Sequence, residues 1–484
     1  MANKNVELLR GEPKTAILKL AVPILVSMLF TASYNIVNGI WIAGLGEAAI
    51  AGIGFVTPIF MLLTGIGGGL ASGATSSISR AVGAKNHENA TKFATHSILI
   101  FSIVSILLTL ILLIIQGPLL AFYGASGQSL IEANKYAIPL FLCVFAFMFS
   151  IGGSGILRGE GDMKRAMYAI IVSSVLNCIL DPVFIYVLGL GSAGASISTV
   201  VSVLASASII MFLILIKKDT YVDVTFKGFK FDSKIALDIL KVAIPASFDR
   251  FIIPIAMTFY LMFIFSVGGV EGIAIFMSGQ RLYLLGILPS TAISIAVSAV
   301  SGSAFGAGNW EYLTRAHTFG TKFAMAMSAT VMLVLVIFAP QLSLIFAYTP
   351  ETAALIHGII NFLRIVGFGL IFVGLGMPSN FLYQGIGRGT TSLVWTVIRE
   401  LIFAVSFTYL FGIVFCWGLT GIWVGLAVGR GVASFLNFVY AKYTIRMLKS
   451  EDKDNDIQKR GYWSMQHLHE WIQVLMHQFR HESG

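Results

Sequence analysis

Within the apolar run from Met167 to Leu188 stands the segment Asn177-Cys178-Ile179-Leu180-Asp181-Pro182. Asp181 is the one carboxylate set well inside a hydrophobic stretch in the first half of the chain. An ionised side chain at bilayer depth is costly, so it is held by a partner, a cavity or a function. Asn177, four residues earlier, falls on the same helical face and adds an amide. Pro182 removes a backbone N–H and invites a kink that frees nearby carbonyls. A carboxylate beside an amide is a place for a proton or a hard cation such as Na⁺. The structural alternative is a buried acid that only caps a broken helix.

The elements that position this segment are membrane spans. The 484 residues are 57% hydrophobic and 11% charged, with a mean hydropathy of +0.86. A water-soluble chain of this length does not have that composition. The formal charge is +9, but the Lys and Arg residues fall between apolar runs, so they report topology rather than nucleic-acid binding. Cys143, Cys178 and Cys416 all lie in apolar runs and have neither a disulfide framework nor metal-ligand spacing. The polar leader to Lys19 precedes an apolar run too long for a cleaved signal peptide.

Twelve runs are long enough to span: 16–43, 48–78, 93–115, 136–157, 166–188, 193–216, 235–266, 270–303, 319–339, 352–383, 391–415 and 417–441. Basic residues gather on one side, in the leader (Lys4, Arg10, Lys14, Lys19), at Arg80, Lys85 and Lys92, at Lys164 and Arg165, and from Lys217 to Lys234. The opposite loops carry Lys135 and the acids Glu47, Glu132, Glu271 and Glu351. This bias places both termini in the cytoplasm. The chain also repeats. Lys19-Leu-Ala-Val-Pro23 returns as Lys241-Val-Ala-Ile-Pro245, and Gly83-Ala-Lys-Asn86 returns as Gly306-Ala-Gly-Asn309. Leu157-Arg-Gly-Glu-Gly161 answers Tyr383-Gln-Gly-Ile-Gly387, and Gly191-Ser-Ala-Gly194 answers Gly418-Leu-Thr-Gly421. The offsets of 222, 223, 226 and 227 hold the register across a whole half. Six spans per half make the copies parallel, related by an axis along the membrane normal, which is a transporter-like arrangement. The expected architecture is therefore all-α, with a first bundle over 1–216, a linker over 217–234, a second bundle over 235–448 and a tail over 449–484.

Several of these residues resemble the multidrug and toxic compound extrusion (MATE) family, in its prokaryotic DinF-like branch. They are Leu20-Ala-Val-Pro23, Tyr34-Asn-Ile-Val-Asn-Gly-Ile-Trp41, Ala43-Gly-Leu-Gly46, Ser79-Arg-Ala-Val-Gly83, Leu157-Arg-Gly-Glu-Gly-Asp162 and Asn177-Cys-Ile-Leu-Asp-Pro182. The resemblance covers roughly residues 8–448. It implies two six-helix bundles in a V, with entry of H⁺ or Na⁺ driving export of mostly cationic, lipophilic compounds by alternating access. It implies no cofactor, a monomer in a prokaryotic plasma membrane, and a cation site formed by Tyr34, Asn38, Asn177, Asp181 and Thr199. Na⁺ would take Asp181, Asn177, Asn38 and Thr199. The family carries Asp where this chain has Asn38, and an amide can offer oxygen to a cation but cannot release a proton. Asp181 would then carry protonation alone.

Tyr34 and Asn38 share a helical face, as do Asn177 and Asp181. The expected hinges are Pro23, Pro182 and Pro245. The second half holds Asp249, Arg250, Arg281, Arg364, Arg399, Glu400 and Arg430 within its spans. Internal salt bridges, for example Glu400 with a neighbouring arginine, are one account, but five cations against two carboxylates leave an excess that pairing does not wholly absorb, and a basic cavity would suit an anionic or phosphate-bearing amphiphile. A lipid or lipid-linked substrate is therefore the alternative to a drug. Met61, Met257, Phe276, Arg281, Arg364 and Arg399 are the candidate cavity residues, with simple packing as the alternative for the apolar ones. Gly65-Ile-Gly-Gly-Gly69 follows no strand, so it reads as close helix packing rather than a nucleotide loop. Glu160 and Asp162 read as structural. Residues 463–480 read as an amphipathic surface helix, and histidines are absent from the span centres, which argues against a membrane-embedded enzyme.

Overall fold

The computed structural model of the chain describes residues 2–217, 219–346 and 352–453. A bilayer core offers no water to backbone groups, so each span must satisfy its own hydrogen bonds, and the described residues form helices and no strands. A short α1 (Ala2–Arg10) precedes α2 (Pro13–Ala43), α3 (Glu47–Gly83) and α4 (His87–Phe122). α5 (Gly127–Leu142) and α6 (Val144–Gly159) form one span bent by 53°, and α7 (Met163–Pro182) and α8 (Gly191–Met211) complete six. The second six comprise α9 (Ser233–Gly306), α10 (Trp310–Ile337), a short α11 (Ala339–Ser343), α12 (Leu355–Gly385), α13 (Gly389–Val397) continued by α14 (Val405–Tyr409), and α15 (Gly418–Lys453).

Among the described residues, ten helices are long and apolar enough to cross a membrane, or 11 with the bent pair counted as one. α9 has 74 residues. That is about 110 Å at 1.5 Å per residue, far more than the roughly 30 Å of a hydrocarbon core. Gly269 breaks it, with φ 56° and ψ −149°, a conformation that essentially only glycine adopts. Counting α9 as two spans brings the total to twelve.

The boundaries differ from the apolar runs in places. The fourth span starts at Gly127 rather than near 136, because Ser126 and Ser129 form a capping box ahead of the apolar stretch. Its bend lies at Cys143, whose N–H takes the Leu140 carbonyl at 3.3 Å, rather than at Pro139. Pro23 and Pro245 lie inside continuous helix, whereas Pro182 ends α7. A π-helical turn, Val183–Val187, follows it, with the Leu188 N–H on the Val183 carbonyl at 2.9 Å. The tail helix expected over 463–480, and Glu351, lie outside the described residues.

The two halves meet along one seam on the side that carries the chain start and the end of α15. A Cβ on Gly83 would lie 1.9 Å from the Ser303 carbonyl oxygen, and one on Gly306 would lie 1.9 Å from that of Arg80. A Cβ on Gly302 would lie 2.1 Å from Ser79 Oγ. These residues are related by the 223-residue repeat, so Ser79 touches its own counterpart and the other two contacts are two-fold copies of each other. The pseudo-two-fold axis passes between Ser79 and Gly302. Arg80 adds an ion pair to Asp238 at 3.0 Å, and Ser76 Oγ donates to the Gly385 carbonyl at 3.0 Å. Away from the termini, α3 then touches α9 at Gly73–Ile239, Gly69–Ser247, Gly68–Arg250 and Gly65–Phe251. Gly54, further along α3, has nothing within 4 Å of its Cβ position. The cleft between the halves is thus closed on the terminus side and open on the other.

The linker is tied to the first half. Glu160 accepts from the N–H groups of Tyr221 (2.8 Å) and Val222 (3.3 Å). Thr91 Oγ1 accepts from Asp223 N–H, His96 Nε2 from Asp232 N–H, and Asp219 pairs with Arg165 at 2.6 Å. Burial, and then the neighbouring Asp162 charge, push the Glu160 carboxyl up to about 8, against the two N–H donors and Arg165.

Candidate functional site

α7 and α8 pack side by side, and α2 packs on α7. Asp181, in the last turn of α7, is fully buried. Ser198 Oγ donates to Asp181 Oδ1 from α8. Asn177, one turn earlier, has two amide orientations. In one, Nδ2 donates to Thr199 Oγ1 at 3.3 Å. Turned over, Nδ2 donates to Asp181 Oδ2 at 3.2 Å and Oδ1 accepts from the Thr199 N–H at 3.3 Å. The second orientation satisfies both ends of the amide and the carboxylate together. Tyr34 of α2 and Tyr136 of α5 lie within electrostatic reach of Asp181. No basic side chain pairs with the acid among the described residues.

The structure therefore brings together Asp181, Asn177 and Thr199, and sets Tyr34 close by. Asn38 lies one turn beyond Tyr34 and makes no hydrogen bond to the cluster among the described residues. Sequence reasoning missed Ser198 and Tyr136. The run Ser196-Ile-Ser198-Thr199 was the available signal for the first, since hydroxyls in an apolar span need acceptors. Tyr136 gave none, because it stands at the edge of an apolar run.

The second half has a different polar interior. Glu400 is buried and takes Arg399 Nε at 3.0 Å and Arg430 Nη2 at 2.9 Å. Tyr260 Oη donates to Glu400 Oε2 at 3.2 Å, and the Arg430 guanidinium lies over the rings of Tyr260 and Tyr283. Asn380 bridges Thr396 (2.9 Å) and Asn437 (2.7 Å). Of the two accounts of Arg399, substrate contact or an internal salt bridge, the structure has the salt bridge: one carboxylate engages two arginines. Arg281 and Arg364 are exposed and form no ion pair among the described residues. Phe276 is also corrected. At 1% exposure it stacks on Trp423 (5.9 Å) and meets Phe362 edge-on, so it is core. Met257 packs partly buried against the same cluster, and Met61 is 59% exposed.

A cavity of about 780 Å³ lies elsewhere, between the start of α4 and the linker, lined by both signs of charge and by none of the Asp181 cluster. No group of three or more His, Cys, Asp or Glu residues suited to a metal occurs among the described residues.

The MatE family model matches residues 23–183 and 245–410. A probable multidrug resistance protein NorM of Thermotoga maritima is 22% identical over 455 residues, which is 92% of this chain and 96% of that relative. An FAD transporter of Shewanella oneidensis is 24% identical over 342 residues, 69% of this chain and 75% of its own. Among solved structures, an outward-facing conformation of a multidrug resistance MATE family transporter superposes with a TM-score of 0.90 at 36% identity, covering 92% of this chain and 99% of that one. A MOP superfamily transporter from Pyrococcus furiosus, whose binding pocket is described as of reverse polarity, superposes at 0.89 with the same identity and coverage. Two matched segments, one in each half and together most of the spans, settle the assignment: this chain belongs to the MatE family, whose members are membrane transporters and not enzymes.

Proposed function

We propose that the protein is a secondary active multidrug exporter in which H⁺ or Na⁺ entry at the Asp181 cluster drives export of small amphiphilic compounds. The carrying observation is a fully buried carboxyl, without a basic partner among the described residues, ringed by oxygen donors from α7 and α8. An ionised carboxylate in such a place is costly unless a proton or cation neutralises it. The donors Asp181, Asn177, Ser198 and Thr199 are hard oxygens that suit Na⁺ as well as a shared proton. Asn38 contributes no acid, so one carboxyl carries the coupling. Neutralising it lets α2 bend at Pro23, whose missing N–H leaves the ladder weak there, and the collapse of space inside the first half expels the substrate.

With both termini in the cytoplasm of a prokaryotic cell, the closed seam faces inward and the cleft faces out. The protein works as a single chain. A lipid or lipid-linked substrate is not favoured: relatives are named for multidrug resistance, and Glu400 engages two of the five arginines on which that reading leaned. The test is export of rhodamine 6G from proteoliposomes under an imposed pH gradient and, separately, a Na⁺ gradient. Asp181→Asn abolishes gradient-driven export and Asn38→Asp raises it. Undiminished export in Asp181→Asn refutes the proposal.

A further inference from the structure

Two arginines at the inner end of the cleft have, among the described residues, no carboxylate paired with them across the seam. Arg158 stands near the end of α6, in the first half; Arg250 stands on α9, in the second. Along residues 150–160 only Ile151 and Arg158 are partly open, seven positions apart on one face, and Ile151 packs on Gly67 of α3. Next to it, Gly68 provides a seat for Arg250: a Cβ there would lie 2.7 Å from Nε, Cζ and Nη2 of the guanidinium. Helical side chains lean toward their own N-terminus, which aims Arg158 up into the cleft toward that seat. Each arginine lies within electrostatic reach of the other. Arg158 forms no ion pair among the described residues, and the acid nearest Arg250 is its chain neighbour Asp249, which forms no ion pair with it and whose Oδ1 is buried without a hydrogen-bond partner among the described residues.

Two like charges from opposite halves, Arg250 exposed and Arg158 partly so, neither hydrogen-bonded among the described residues, lie along the seam, Arg250 at Gly68 where only the Gly65–Phe251 contact remains before the open cleft. Guanidinium is the side chain best matched to a carboxylate or phosphate, which it grips with paired N–H donors. An anionic group between them would satisfy both and join the halves.

We propose that Arg158 and Arg250 form a recognition site for a carboxylate or phosphate group on the transported molecule, so that this exporter accepts acidic or zwitterionic amphiphiles as well as cations. This deepens the export reading and rests on it for the transport path, though not for binding.

The test uses two dyes with the same fused-ring body and opposite charge, carboxyfluorescein and rhodamine 6G. Binding to the detergent-solubilised full chain is followed by fluorescence polarisation, which needs no gradient. Arg158→Gln and Arg250→Gln each weaken carboxyfluorescein binding roughly tenfold or more, the factor that loss of one charge-assisted contact of about 1.4 kcal/mol gives. The double variant loses little beyond either single, and rhodamine 6G binding stays within about twofold. Gly68→Ala keeps both charges but displaces the Arg250 guanidinium, and it also weakens the anionic dye. Unchanged carboxyfluorescein binding in all three variants overturns the proposal. Equal loss of both dyes overturns it too, because the charges would then serve the fold alone. Inorganic phosphate that binds as tightly as the dye would make this a free-anion site and overturn the substrate assignment. Arg-dependent binding without gradient-driven export would leave the site standing and refute the export reading instead.

Discussion

Gly83→Ala should push the protein out of the conformation described above. The new Cβ would sit 1.9 Å from the Ser303 carbonyl oxygen and 2.6 Å from its carbon, both backbone atoms that cannot rotate away. Carbon and oxygen rest at about 3.3 Å or more, so α3 and α9 must part by roughly 1.4 Å at the seam. Overpacking of this kind costs about 1–3 kcal/mol. The penalty falls only on the state with the seam closed. At about 1.4 kcal/mol per factor of ten, the balance shifts about 5- to 150-fold toward a seam-open state. Gly306→Ala meets the Arg80 carbonyl at the same 1.9 Å and should act alike. The two together should fall short of additive, because one parting of the helices relieves both. Spin labels at Glu88→Cys and Glu311→Cys, exposed repeat mates flanking the seam, read the change by electron–electron double resonance after the native cysteines are replaced. A longer-distance population should grow with either alanine. Gly54→Ala, with nothing within 4 Å, should leave the distribution unaltered. Unchanged distances in both seam variants would refute the claim that these glycines set the closed approach.

Two further outcomes are expected. The Glu160 carboxyl is raised to about 8 where it holds the linker, against an ordinary value near 4.5 when the linker opens and the acid meets water. A raised group favours the closed form fully below its open value and loses that preference as pH climbs toward its closed value. Linker opening should therefore rise between about pH 4.5 and 8, by at most roughly tenfold per unit. Hydrogen exchange at Tyr221 and Val222, corrected for intrinsic rates, should show the slope, and Glu160→Gln should flatten it. Arg430→Met removes one of two cations from buried Glu400. Breaking a buried pair costs about 3–5 kcal/mol, and the remaining Arg399 keeps the loss near the lower end. Thermal unfolding in detergent should show a lower midpoint, largely restored by adding Glu400→Gln.

Much of this architecture was legible in the residues. Composition declared a membrane protein, apolar runs counted twelve spans, and a steady offset declared the duplication. Asp181 stood out because a carboxylate in an apolar run has so few bland explanations. What stayed hidden depended on neighbours distant in the chain. Phe276 has the same spacing whether it lines a cavity or fills a core, and only the Trp423 ring decides between them. A pairing of Glu400 with its neighbour Arg399 was legible as one alternative, but no sequence rule ties Arg430, thirty residues on, to the same carboxylate. Gly269 was one glycine of 49, and its φ of 56° is a property of the bend, not of the residue type. Ser198 was missed because a serine in a span can as easily bond the preceding turn of its own helix, and the Ala195 carbonyl does lie within hydrogen-bond distance of its hydroxyl.

The pairing of Ser79 with its own repeat mate Gly302 bears on how such a chain arose. Self-complementary contact about a two-fold axis is what a homodimer has, where each patch meets its own copy. An even number of spans leaves the start and end of each half on one face, so a single short tether suffices to fuse two copies. The ancestor implied is a six-span subunit that dimerised through the glycine face of its second helix before its gene was joined head to tail. Fusion then freed the copies to diverge. One kept a lone acid on its fifth span, while the other placed a Glu400–Arg430 pair between its eleventh and twelfth.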